Sequence, residues 1–71
     1  MTQTDCVKAM RVLVETGWGL MQRHTGCWVI LFTPKDYAKL PLAARDYRDL
    51  ERPDPVSAIL WAKKWFQRLT A

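Results

Sequence analysis

The sequence predicts an α+β domain: a helix, a two-stranded β-hairpin, one or two short helices, and a closing helix packed on the sheet. Three observations carry this. Apolar residues recur at helical spacing near both ends of the chain, from Cys6 to Val14 and from Pro55 onward. Between Trp18 and Thr33 the period shortens toward two, around a His24-Thr25-Gly26 turn. Prolines at positions 34, 41, 53 and 55 then punctuate the stretch before the last helix.

The first helix is expected to be capped by Thr4 or Asp5 and to present Cys6, Val7, Met10, Leu13 and Val14 to a core. Lys8, Arg11 and Glu15 would take the other face, with Arg11 and Glu15 placed as an i,i+4 pair. Gly17 follows the last turn, where a left-handed residue ends a helix.

Trp18–Arg23 and Cys27–Thr33 read as two strands, and Gly26 supplies the positive φ that the turn needs. The second strand is apolar on both faces. Trp28, Ile30 and Phe32 point one way; Cys27, Val29 and Leu31 point the other. Each face must therefore be covered, either by the segment from Pro34 to Leu50 or by a second copy of the chain, which gives the expectation of a two-fold homodimer.

Thr33-Pro34-Lys35-Asp36 has the form of a helix start, with Thr33 at the cap and Pro34 at the first position. That helix ends within a turn or two, before Leu40-Pro41. A second short helix from Pro41 to about Leu50 would hold an Arg45/Asp49 pair. Glu51-Arg52-Pro53 breaks it, and Asp54-Pro55 restarts with a cap and a first-turn proline. At roughly 100° per residue, Ala58, Ile59, Ala62, Trp65, Phe66 and Leu69 share the buried face of the closing helix.

Seventy-one residues make a single small domain, spanning 1–71, with a thin core. A chain of this size buries only about 60% of its unfolded surface. With 49% apolar residues, disorder is not expected. The net charge of +4 is uneven: from Pro55 onward there are Lys63, Lys64 and Arg68 and no carboxylate. Cys6 and Cys27 are too few for a disulfide framework and fall where apolar faces are expected, so they read as buried free thiols in a reducing cytosol. No signal peptide or membrane-length apolar run is visible, which favours a cytoplasmic protein without membrane contact.

Enzymatic chemistry is not expected. The one histidine, His24, sits in a turn, and neither cysteine has an orienting partner beside it. His24, Cys6 and Cys27 lack metal-ligand spacing, and the three glycines form no phosphate loop, so neither metal nor cofactor is implied. The carboxylates from Asp46 to Asp54 interleave with Arg45, Arg48 and Arg52 and read as a salt-bridged solvent face.

Trp18, Trp28 and Trp65 are most simply core. Trp61 is different: it leans past the apolar stripe toward Ser57, Lys64 and Arg68, and Leu60 lies nearby beside Lys63, Lys64 and Gln67. An outward tryptophan supplies a large apolar area with a polar handle, so Trp61, Leu60, Lys64, Arg68 and Ser57 form the candidate partner-binding surface; partial burial is the competing account of Trp61. Arg23, His24, Lys63, Lys64 and Arg68 are the candidate contacts for DNA or RNA, although a groove-reading helix would carry more polar side chains than Ser57, Gln67 and Arg68.

The order helix, Gly17-Trp18 strand, turn, Trp28 strand and a closing helix with Pro55, Ala58, Ile59 and Ala62 resembles small tailed-bacteriophage proteins of the helix–hairpin–helix "ABA sandwich" kind. The matching positions span about two thirds of the chain, and the stretch from Pro34 to Pro53 departs from the pattern. The resemblance implies a phage or prophage origin and a compact α+β fold, and carries over no catalytic residue. The expected function is a small non-enzymatic binding protein, an inhibitor or modulator of a host protein or complex acting by protein–protein contact. The alternative is a DNA- or RNA-binding regulator using the basic closing helix.

Overall fold

The computed structural model describes residues 3–42 and 50–70, and it has the expected α+β architecture. Helix α1 spans Gln3–Thr16, strands β1 and β2 span Gly19–Gln22 and Trp28–Leu31, and a one-turn helix α2 covers Pro34–Tyr37. The closing helix α3 runs Pro55–Thr70. It packs on β2 with one side and on α1 with another, so α1 reaches the sheet chiefly through α3. The expected helix from Pro41 to Leu50, with its Arg45/Asp49 pair, lies mostly outside the described residues, as do Asp46 and Arg48.

Helix α1 starts at Gln3, so Thr4 and Asp5 lie in its first turn instead of capping it. An aspartate there still complements the helix dipole. The buried side also differs from the expectation. Ala9 and Val12 are buried and Leu13 packs against the core, whereas Val7, Met10 and Val14 are 51%, 67% and 83% exposed. Cys6 is exposed as well and Cys27 only half-buried, which corrects the expectation of two buried thiols. The reason is packing: Ala9 belongs to the same buried cluster as Ala62 of α3, and small side chains let two helices come close. Hydrophobicity alone ranks Val and Met above Ala and so picks the wrong side of the helix.

At the end of α1 the Gly17 N–H donates to the Leu13 carbonyl at 3.0 Å with φ +74°, the left-handed stop expected there. The Thr16 hydroxyl donates to the Val12 carbonyl and accepts from the Trp18 N–H, steering the chain into β1. The hairpin is shorter than expected at both ends. Its antiparallel register pairs Leu20 with Ile30 and Met21 with Val29. Beyond the strands the Arg23 N–H donates to the Cys27 carbonyl at 2.7 Å, leaving a three-residue loop that Gly26, at φ +89°, closes by donating its N–H to the Arg23 carbonyl at 2.8 Å.

Both faces of β2 are covered at its centre within one chain: Val29 is 0% and Ile30 2% exposed, while Leu31 at its end is 36% exposed. Leu40 and Leu50 are buried in the same core and Tyr37 packs against it, so the segment after the hairpin contributes to that cover. The strand itself therefore gives no reason for a second copy. On its outer edge β2 also meets Arg52, with reciprocal backbone bonds between Trp28 and Arg52 of 2.7 and 2.9 Å.

The core is aromatic at one end. Trp18 meets Phe32 edge-on with ring centroids 4.7 Å apart, and Phe66 at 5.4 Å; Phe32 and Phe66 stack at 5.6 Å. The Trp18 indole N–H donates to Asp36 Oδ2 at 2.8 Å, so this buried ring has its polar atom satisfied. Of the expected α3 stripe, Ala58, Ile59 and Ala62 are buried and Trp65 and Phe66 partly so, while Leu69 is exposed near the helix end.

Candidate binding face on the closing helix

Helix α3 begins where Asp54 caps it. The Ser57 N–H donates to Asp54 Oδ2 at 2.8 Å, and this bond holds the Asp54 carboxyl below its ordinary pKa. Proline at the first helical position leaves no unsatisfied donor there. With this start fixed, the helix turns Ser57, Leu60, Trp61 and Lys64 toward one exposed side, where they line a groove together with Arg52.

Arg52 is the residue that sequence reasoning missed. Its guanidinium carbon lies 3.7 Å from the centroid of the Trp61 ring, a cation–π contact. The backbone bridge to Trp28 places it there, and its Nη1 donates to the Glu51 carbonyl at 2.6 Å. Glu51 in turn accepts from Arg23 Nε at 2.7 Å, which ties the hairpin end to the segment entering α3. Nothing in local spacing links Arg52 to Trp61; tertiary packing, with the isolated bridge to Trp28, brings them together.

Trp61 is half-buried, stacked on Trp65 with centroids 5.5 Å apart and an interplanar angle of 19°. It packs against the core on one side and lines the groove on the other. Leu60 lies beside it and lines two further grooves between α1 and α3. One holds Asp5, Lys8, Lys63, Lys64 and Gln67; the other holds Lys8, Arg11, Val12, Glu15 and Lys63. Leu60 is thus the apolar centre of a surface whose rim is mostly cationic.

Of the expected partner-binding residues, Ser57, Leu60, Trp61 and Lys64 come together, while Arg68 is exposed in the last turn and lines none of these grooves. Of the expected nucleic-acid contacts, Arg23 is ion-paired with Glu51, Lys63 faces Glu15 at 3.8 Å, and His24 is exposed in the turn. Among the described residues, no group of three or more His, Cys, Asp or Glu is placed to hold a metal ion. No helix among them is long and apolar enough to cross a membrane.

No known protein family, curated protein or solved structure matches this chain. The resemblance to phage helix–hairpin–helix proteins therefore rests on the quoted residues alone.

Proposed function

We propose that the chain is a small non-enzymatic binding protein that works through the Leu60/Trp61 face of α3. The observation that carries this reading is the position of Leu60: a half-buried leucine shared by three adjoining grooves, with Trp61 beside it and Arg52, Lys8, Lys63 and Lys64 around it. An apolar and aromatic centre inside a charged rim is the usual anatomy of a protein-binding patch. In the setting that the phage resemblance implies, the partner is a host protein or complex in the cytoplasm, and binding inhibits or modulates it.

Self-association as a homodimer belongs to the same reading. It is supported by the exposed stripe of Val7, Met10 and Val14 on α1, not by β2. The nucleic-acid alternative is less well supported, because Arg23 and Lys63 already face carboxylates.

The test is capture from host lysate on the immobilised chain, compared between wild type, Leu60→Ala and Trp61→Ala. Circular dichroism monitors the fold of each variant. A specific partner retained by wild type and lost by folded Leu60→Ala supports the reading. Equal retention by both variants overturns it.

A further inference from the structure

We infer that the occupant of this face is an acidic protein segment carrying a bulky apolar side chain, laid along the groove between α1 and α3. This rests on the binding-face reading above and adds the chemistry of the partner. The groove is walled by Lys8 from α1 and by Lys64 and Gln67 from α3, with Leu60 between them, while Lys63, which also lines it, faces Glu15 and leaves Lys8 and Lys64 as the cations offered to a partner. Arg52 continues the cationic rim past Lys64. Helix α3 brings no carboxylate to it anywhere along Pro55–Thr70. On the α1 side stand Asp5 and Glu15, and Glu15 is engaged with Lys63 at 3.8 Å. Lysine stems lie along apolar surface and keep their charge outward, so the floor around Leu60 extends beneath a cationic edge. Carboxylates flanking one apolar side chain complement both parts at once.

Two observations favour a protein over other polyanions. A nucleic-acid strand needs a track of cations and open aromatic faces. Here Asp5 and Glu15 interrupt the track, and the Trp61 ring already has a guanidinium over it and an indole stacked on it. An anionic membrane needs projecting apolar side chains on the basic face. Of the most exposed ones, Val7, Met10 and Val14 lie on a different face of α1 from the groove-lining Lys8, Val12 and Glu15, and Leu42 lies outside both helices and lines none of these grooves.

The probes are fluorescein-labelled peptides read by anisotropy: one alternating Glu and Leu, the same peptide with Gln for Glu, and polyglutamate without Leu. Labelled oligothymidylate and phosphatidylserine vesicles are run beside them. The Glu/Leu peptide should bind wild type roughly tenfold or more tighter than either control peptide. A Lys8→Glu/Lys64→Glu double variant reverses two exposed charges, is expected to stay folded, and should weaken that binding by roughly tenfold. The inference is overturned if oligothymidylate or the vesicles bind as tightly as the Glu/Leu peptide, if that peptide does not bind, or if charge reversal in a folded variant changes nothing. Should lysate capture still depend on Leu60 while the Glu/Leu peptide fails, the acidic-segment inference falls and the binding face stands. If capture is indifferent to both Leu60→Ala and Trp61→Ala, both fall.

Discussion

The Arg52 guanidinium carbon sits 3.7 Å above the centroid of the Trp61 ring. A partly exposed contact of this kind contributes about 0.5–1 kcal/mol. Arg52→Ala should therefore lower the melting temperature only slightly while changing the Trp61 environment, seen as a shift in tryptophan emission. Arg52→Lys keeps the charge but loses the flat guanidinium, and should recover only part of the change. If both variants match wild type in emission, the contact does not persist in solution.

A second bond joins distant parts of the chain: the Trp18 indole N–H to Asp36 Oδ2 at 2.8 Å. Trp18 is buried, so removing its acceptor leaves a polar N–H with no partner. Asp36→Ala should cost about 1–3 kcal/mol in chemical denaturation. Asp36→Asn keeps a carbonyl acceptor in place and should cost clearly less. Trp18→Phe removes the donor along with some volume, so the double variant with Asp36→Ala should cost less than the two single changes added together.

How far these features were legible follows from what sets them. Gly17, the Thr33-Pro34 start and the Asp54-Pro55 start are local devices, and spacing alone located all three. The hairpin turn is local too, since Gly26 has the positive φ that its loop demands. The buried face of α1 was not legible, because Ala9 is chosen by the approach of α3 and not by its own hydrophobicity. Of the candidate binding face, Ser57, Leu60, Trp61 and Lys64 share one side of one helix and could be read together. Arg52 and Lys8 join them only through tertiary packing, which no local period reports.

The Asp54 cap makes a pH prediction. Its carboxyl is held below its ordinary pKa, first by the Ser57 backbone N–H and then by the Ser57 side chain. A lowered folded-state pKa means the contribution is present in full above the unfolded value of 3.8 and disappears as pH falls through the folded value. Wild type should thus lose part of its thermal stability on acidification below about pH 4. Asp54→Asn, which also caps well, should be close to wild type at neutral pH and less sensitive in that acid window. Equal acid sensitivity of the two proteins would remove the cap from the account.

The exposed stripe of α1 separates two assignments of that helix. With Val14 at 83% and Met10 at 67% exposure, a lysine at either position meets solvent, and lysine is the better helix former than valine. At concentrations where the chain is monomeric, Val14→Lys should leave the melting temperature unchanged or slightly higher. Val12→Lys, in contrast, places a charge in the buried cluster that includes Ala9 and Ile59 and should unfold the chain. If the stripe is where two copies meet, sedimentation equilibrium of wild type at high concentration gives a mass above one chain, and Val14→Lys or Met10→Lys returns it to one. A wild-type mass of one chain removes the dimer and leaves the stripe as exposed apolar surface. Unfolding by Val14→Lys together with tolerance of Val12→Lys would instead show that Val7, Met10 and Val14 face the core.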